Sequence, residues 1–364
     1  MLRRCLGILT VTGCALLAVA TAASAREVLY GAGAQGDGGS PSTLYILDPS
    51  SGSALQSIGP IGFSVTGLAV DPADGTLYGS TGRATSGGAP NPGSLIRINR
   101  ATGTGTLVGD LRPDTETAGD LTLTPDGALF GWLVPSNDLV TINKASGTAS
   151  IIGDSGIVGN IGSGIASSPG GILFHAALDS FPLYTVDRNT GAATPVATLN
   201  GTESLEINAL SFNAAGTLFG SWLDYGSTGP RPSRLITINT SSGAITFLGP
   251  SVNRLDAIVF GPKPGRSVNL KKKFKKKGKK VRLFGHVDAP GNEAACENGQ
   301  TVELQRKKPK GGKFGIFRQL KTNTAGDYST KVKVKKTFTY RAFVPETPLC
   351  DDVTSKKKKV KKKK

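Results

Sequence analysis

Five times the chain returns to one phrase. LYILDPSSGSALQSI begins at Leu44, LIRINRATGTGTLV at Leu95, LVTINKASGTASII at Leu139, LYTVDRNTGAATPV at Leu183 and LITINTSSGAITFL at Leu235. Each copy opens with alternating apolar and polar residues, the period of a β-strand. An Asp or Asn follows, then Ser or Thr, then Gly, as in Asp187…Thr190-Gly191 and Asn143…Ser146-Gly147. An Asx side chain there can accept from the amides that follow it, and the glycine supplies the positive φ that closes a short turn. A second strand completes the phrase. Each copy is therefore expected to be an antiparallel hairpin.

A second phrase alternates with the first: GLAVDPADGTLYGST (67–81), DLTLTPDGALFGWL (120–133), GIASSPGGILFHAAL (164–178) and ALSFNAAGTLFGSWL (209–223). It too reads as two strands around a glycine turn. Two hairpins make a four-stranded antiparallel unit, and a unit of that kind recurring every 44 to 53 residues is a propeller blade. The ends of the region carry half-phrases. REVLYGAG (26–33) matches only the second strand of the second phrase, and LDAIVF (255–260) only the first. Paired, they complete a fifth unit and leave no open edge. The expected fold class is all-β, a five-bladed β-propeller over residues 26–260 followed by a small Lys-rich β-sandwich. The repeat wording resembles secreted bacterial propellers of the YVTN/NHL-like, quinoprotein-like group. That resemblance implies a shape that serves many functions.

Residues 1–25 have the parts of a secretory signal: Arg3 and Arg4, an apolar stretch from Leu6 to Ala20, and Ala23-Ser24-Ala25 before the cut. The expected location is therefore secreted or envelope-associated, with no membrane span after removal of the signal. Cys5 and Cys14 would leave with it. The remaining Cys296 and Cys350 form an even pair in an oxidising compartment and are expected to be bonded.

Composition changes at GPKPGR (261–266), read as a linker. From Arg266 onward there are 30 Lys and Arg against 8 Asp and Glu, a net +22, whereas residues 1–265 carry −5. Strands are expected near Val281–Ala289, Thr301–Gln305, Phe314–Leu320, Tyr328–Val334 and Phe338–Val344, a sandwich over 267–355. In KVKVKK (331–336) the valines should face inward. Gly299-Gln300-Thr301-Val302 and Ala325-Gly326-Asp327-Tyr328 resemble the turn-and-strand grammar of immunoglobulin-like and prealbumin-like modules. Residues 356–364, KKKKVKKKK, are expected to be a disordered tail. With KKKFKKKGKK (271–280) they supply sixteen lysines at the two ends of one small domain, which points to attraction to an anionic surface polymer. Nucleic acid is not the expected partner, because the basic runs lack clustered, interleaved aromatics for base stacking, and export lowers that reading further.

The chain has two histidines, so a His-based zinc site is not expected, and no nucleophile elbow or βαβ dinucleotide loop is present. His175 stands where other copies carry Gly79, Gly131 and Gly220, which makes it either a packed core histidine or a ligand contact. Counting back from each innermost strand gives Asp120, Glu206, Asn208, Arg254 and Asp256 at the mouth of a central channel. Lactonase-like propellers hold a divalent cation with acids and asparagines, and a resemblance to them implies a calcium-type hydrolase as the alternative. Trp132 and Trp222 offer rings for a carbohydrate. No cofactor is expected for the leading reading, a non-enzymatic binding protein whose propeller face takes an unspecified protein or carbohydrate.

Overall fold

The computed structural model describes residues 27–34, 40–82, 90–111, 116–159, 163–177, 182–200, 206–223, 233–275, 280–289, 294–308 and 311–361. The signal sequence read at 1–25 lies outside them.

Among the described residues, 27–262 form five four-stranded antiparallel sheets. The first holds β1 (Glu27–Ala34), β2 (Ser42–Leu47) and β3 (Ala54–Pro60). The second holds β4 (Val65–Val70), β5 (Leu77–Thr81), β6 (Ser94–Ile98) and β7 (Gly105–Asp110). The third runs through β8 (Thr117–Leu123), β9 (Leu129–Val134), β10 (Asp138–Ile142) and β11 (Ala149–Asp154). β12 (Gly164–Ser167), β13 (Leu173–Ala176), β14 (Pro182–Val186) and β15 (Ala193–Thr198) make the fourth. β16 (Glu206–Phe212), β17 (Leu218–Leu223), β18 (Ser233–Ile238) and β19 (Ile245–Pro250) make the fifth. β20 (Leu255–Pro262) then returns to pair with β1, placing Tyr30 opposite Val259 and Leu29 opposite Phe260. The two half-phrases thus share one sheet, as their wording implied. β4 lies beside β8, β8 beside β12, β12 beside β16, β16 beside β20 and β20 beside β4, so the first strands of the sheets close a ring. This is a β-propeller arrangement.

The repeated phrase folds as its chemistry dictates. Asp48 accepts from the Ser50 amide at 2.8 Å, Asn99 from Ala101 at 2.8 Å, Asn143 from Ala145 at 2.8 Å, Asp187 from Asn189 at 2.7 Å and Asn239 from Ser241 at 3.0 Å. The glycine that follows has positive φ each time, from 71° at Gly243 to 82° at Gly103. Apolar clusters between neighbouring sheets supply the cohesion: Leu95, Leu121, Leu133 and Val140 in one, Leu183, Leu210, Trp222 and Ile236 in another.

The basic half consists of two packed sheets. In one, β23 (Lys280–Asp288) lies between β26 (Asp327–Lys333) on one side and β21 (Ser267–Val268) with β22 (Lys271–Phe274) on the other. In the second, β24 (Thr301–Lys307) lies between β25 (Gly315–Lys321) and β27 (Phe338–Val344), and β27 also pairs with β28 (Val353–Thr354) and β29 (Lys358–Val360). Val281, Leu283, Val302, Leu304, Val332 and Val344 fill the space between the sheets, and alternate Lys and Arg point to water. One helical turn, α1 (Ala294–Glu297), carries Cys296, which is bonded to Cys350 with their Cα atoms 5.8 Å apart.

One expectation fails here. The tail does not lose structure at Lys356: β29 pairs with β27, opposing Tyr340 to Lys358 and Phe338 to Val360. Val360 is the one apolar residue of the run, and at 1% exposure it is part of the sandwich core. Of residues 261–266, read as a linker, the first two continue a strand and the last is buried. Gly261 and Pro262 belong to β20, opposite Val28 and Glu27. Arg266 is buried, its Nε donating to the Asp351 carbonyl at 2.6 Å and Nη1 to Gln300 at 2.7 Å, with Nη2 reaching the Pro345 carbonyl. Burial lowers its pKa, against the opposing pull of Asp352 and Asp351. Ala289, Cys296, Leu349 and Cys350 join one apolar cluster with Val28, Val70 and Val259. The disulfide therefore sits where the second half packs on the first.

Candidate functional site

The innermost strands enter the ring through β-bulges. The register slips between Val65 and Gly67, between Ala118 and Asp120, and between Ile207 and Ala209, and on the β1–β20 pair between Ala32 and Gly33. Each slip leaves one extra residue, Thr66, Gly119, Asn208 or Asp256, at the same level of the ring, where bulges re-aim side chains. At the mouth Asn208 Nδ2 donates to Asp256 Oδ1 at 3.4 Å. Ser163 Oγ donates to the Asn208 carbonyl at 3.2 Å, and Thr66 Oγ1 to the Ala118 carbonyl at 2.9 Å. Arg254 precedes them in the left-handed region, at φ 46°, with its side chain buried. Glu206 opens β16, half-buried. Glu206 and Asn208 thus lie on one innermost strand and Asp256 on its neighbour, with Arg254 in the turn that leads into it.

Asp120 and His175 do not join them. The Asp120 carboxylate is buried at the centre of the ring and saturated by the backbone. Oδ1 accepts from Leu121 at 2.8 Å, and Oδ2 from Ile165 at 2.9 Å and Leu210 at 3.1 Å. Burial raises its pKa well above the ordinary carboxylate value, and the amides of Ile165, Leu210, Leu121 and Leu68 oppose that. Its oxygens join innermost strands of several sheets. His175 is 1% exposed and lies against Trp132, ring centroids 3.8 Å apart and 16° from parallel. Burial drives its pKa down to about 3, despite a backbone hydrogen bond with Gly164, so the ring is neutral. Trp132 and Trp222 are buried as well, and Trp222 stacks on Phe247 at 4.2 Å. Neither ring is open to a sugar. Among the described residues, no three His, Cys, Asp or Glu side chains come together in a way that could hold a metal ion.

The two lysine runs meet. Lys272 Nζ donates to the Lys359 carbonyl at 2.5 Å, which brings β22 and β29 to one end of the sandwich. Residues 276–279 and 362–364 of those runs lie outside the described residues. Reading the two lysine runs at 271–280 and 356–364 missed a second set of cations, Arg282, Arg318 and Lys331, which the strands bring together although neither of those runs contains them. The signal for Arg282 and Lys331 was the every-second-residue placement of Lys and Arg along β23 and β26, whereas Arg318 on β25 had none.

No family model matches the chain, and no curated protein matches it. Solved structures do. The crystal structure of a nidogen/laminin complex is 15% identical, covering 65% of this chain and 98% of that one, with a TM-score of 0.42. A gluconolactonase from Xanthomonas campestris is 14% identical over 73% of this chain and 88% of its own, TM-score 0.37. Regucalcin, a calcium-binding protein from Agrobacterium tumefaciens, is 17% identical over 70% and 80%, TM-score 0.36. Among the described residues no helix is long and apolar enough to cross a membrane.

Proposed function

We propose that the chain is an exported, non-enzymatic binding protein. Its five sheets act as a five-bladed propeller that presents a rigid face, and an immunoglobulin-like sandwich holds it on anionic polymers of the cell envelope. The observation that carries this reading is the meeting of the two lysine runs at Lys272 and Lys359. Charges summed over one end of a domain attract a polyanion, although each exposed charge acts over only about 8 Å at physiological salt. Supporting it from the other side, the buried Asp120 carboxylate is occupied by amides.

The test is retention on isolated envelope material at low and high salt. Wild-type protein should be retained at low salt and released steeply as salt rises. A variant with Ser at Lys271, Lys273, Lys356, Lys357 and Lys361 should be retained less. Equal retention of both, or retention indifferent to salt, defeats the reading. Calcium provides the contrast. Under this proposal millimolar calcium leaves the melting temperature unchanged. A calcium-induced rise that disappears in Asp256→Ala would favour the metal-dependent hydrolase.

A further inference from the structure

We propose that the outer face of the β22–β23–β26 sheet, with the cleft at its edge, is the seat of a linear polymer bearing tetrahedral oxyanions, phosphate or sulfate esters. This rests on the polyanion reading above and gives it a preformed site away from the lysine tail.

Like charges are lined up on this face. Lys273 stands directly opposite Arg282, and Arg282 directly opposite Lys331, so three cations form one row across three strands. Lys280 opposes Lys333 in the next row. Side chains directly opposite one another in antiparallel strands are about 5 Å apart, and like charges there destabilise the sheet. The ion pairs among the described residues of this half, Lys263 with Glu346 and His286 with Asp327, involve none of these cations. A bound polyanion removes the conflict.

The cleft supplies the shape. It is an open groove of about 670 Å³, lined among the described residues by Lys275, Arg282, Arg318, Ser329, Thr330 and Lys331: four cations, two hydroxyls and no acid. Arg318 comes from the opposite sheet, and its Nη1 donates to Thr330 Oγ1 at 2.5 Å, which fixes the guanidinium at the cleft wall. Arg and Lys are donors only, and a planar guanidinium suits an oxyanion with several acceptor oxygens. Cations repeat at about 4.8 Å across the strands and about 6.8 Å along them, a spacing for a chain of anions and not for one ion. Among the described residues the cleft lining contains no aromatic ring on which a nucleobase could stack, which favours a polymer without bases.

Full-length protein is titrated with linear polyphosphate, dextran sulfate, inorganic phosphate and an oligothymidylate of equal charge, reading binding and melting temperature. Polyphosphate or dextran sulfate, whichever is the better mimic, should bind and raise the melting temperature, while inorganic phosphate does neither at matched charge. Arg282→Glu places an acid between Lys273 and Lys331. It should melt higher than wild type without polymer, bind the polymer about tenfold more weakly and lose the polymer-induced rise. Arg318→Gln, which keeps the fold's charge rows, should weaken binding in the same direction. If wild type binds but Arg282→Glu and Arg318→Gln bind equally well, the cleft is not the seat and only the broader reading stands. If the oligothymidylate binds more tightly than either polymer, the ligand class is wrong. If wild type binds no polyanion, the broader reading falls together with this one.

Discussion

Gly52 in the first sheet packs against the last strand of the fifth. A Cβ added to it would lie 2.9 Å from the Leu235 Cβ and 3.2 Å from the Gly249 carbonyl, and one added to Gly249 would overlap the Ser51 carbonyl. The same contact joins the other sheets: the turn of the second meets Gly59 through Thr102, that of the third meets Gly109 through Ser146, and that of the fourth meets Gly153 through Thr190. Between the fourth and fifth sheets, Gly243 meets Thr198. A ring of turns thus locks each sheet to the one before it, and the Gly52–Gly249 contact completes the circle between the fifth sheet and the first. Gly52→Ala meets both the close approach and the φ of 76°. It should cost about 1–3 kcal/mol, read as a lower midpoint in denaturant melts. A change within a few tenths of a kcal/mol would mean that closure does not depend on this contact.

Asp120 should behave as a structural hub. Removing its carboxylate strands the buried amides of Ile165 and Leu210, which it now serves at 2.9 and 3.1 Å. Asp120→Ala should cost about 3 kcal/mol, chiefly the penalty of leaving buried donors unsatisfied. Asp120→Asn should also destabilise, because its amide group would face backbone donors. If either variant lost ligand or polymer binding while keeping full stability, the residue would be a contact after all.

His175 gives a pH signature with a defined sign. Its pKa in the fold is about 3, against 6.5 for the ordinary side chain, and burial is the main cause. Between these values the unfolded chain holds a proton that the folded chain does not. Stability from this group is therefore complete above about pH 6.5 and falls as the pH drops toward 3, by up to about 1.4 kcal/mol per pH unit. His175→Phe keeps a ring against Trp132 and removes the titration. The stability difference between wild type and the variant, measured from pH 7 to 4, should slope in that direction. A flat difference would mean that the imidazole is protonated in the fold.

Much of this was legible in the sequence, and the limits have physical causes. The Asx–Gly turns and the half-phrases at the two ends are local chemistry, so they could be read residue by residue. The roles of Asp120 and His175 depend on other sheets. Asp120 occupies a ring position that Gly67, Gly164, Ala209 and Ala257 fill with small residues, and only the closed ring shows that its partners are amides. His175 replaces a glycine that elsewhere leaves room for Ile96, Val140 or Ile236 on the next strand, and the ring it meets belongs to a neighbouring sheet. The opposed cations at Lys273, Arg282 and Lys331 were hidden for the same reason: cross-strand register decides which lysines face one another.

The disulfide should matter to more than its own loop. Bonding Cys296 to Cys350 closes a sequence separation of 54, for which chain entropy gives about 4 kcal/mol. Both sulfurs also lie in the cluster that includes Val28 and Val259. Cys296→Ala with Cys350→Ala should lower the melting temperature of the basic half and loosen its seat on the first sheet. Proteolysis around residues 261–266 reports the second effect, and unchanged cleavage would confine the bond's role to the sandwich.

The C-terminal run separates charge from packing. Val360 is buried against β27, while Lys356 and Lys357 are exposed. Ending the chain at Ser355 removes Val360, β29 and the Lys359 carbonyl that receives Lys272, so it should lower the denaturation midpoint as well as the charge. Val360→Ser should cost about 1–3 kcal/mol through lost apolar burial and a hydroxyl placed in the core. Ser at Lys356, Lys357 and Lys361 should leave the midpoint unchanged or slightly raised, because like charges are thinned without loss of buried surface. Weakened envelope retention in the lysine variant, at undiminished stability, would assign the effect to charge. If the chain ending at Ser355 melts at the wild-type midpoint, β29 contributes nothing to the sandwich and the lysines act from an unanchored end.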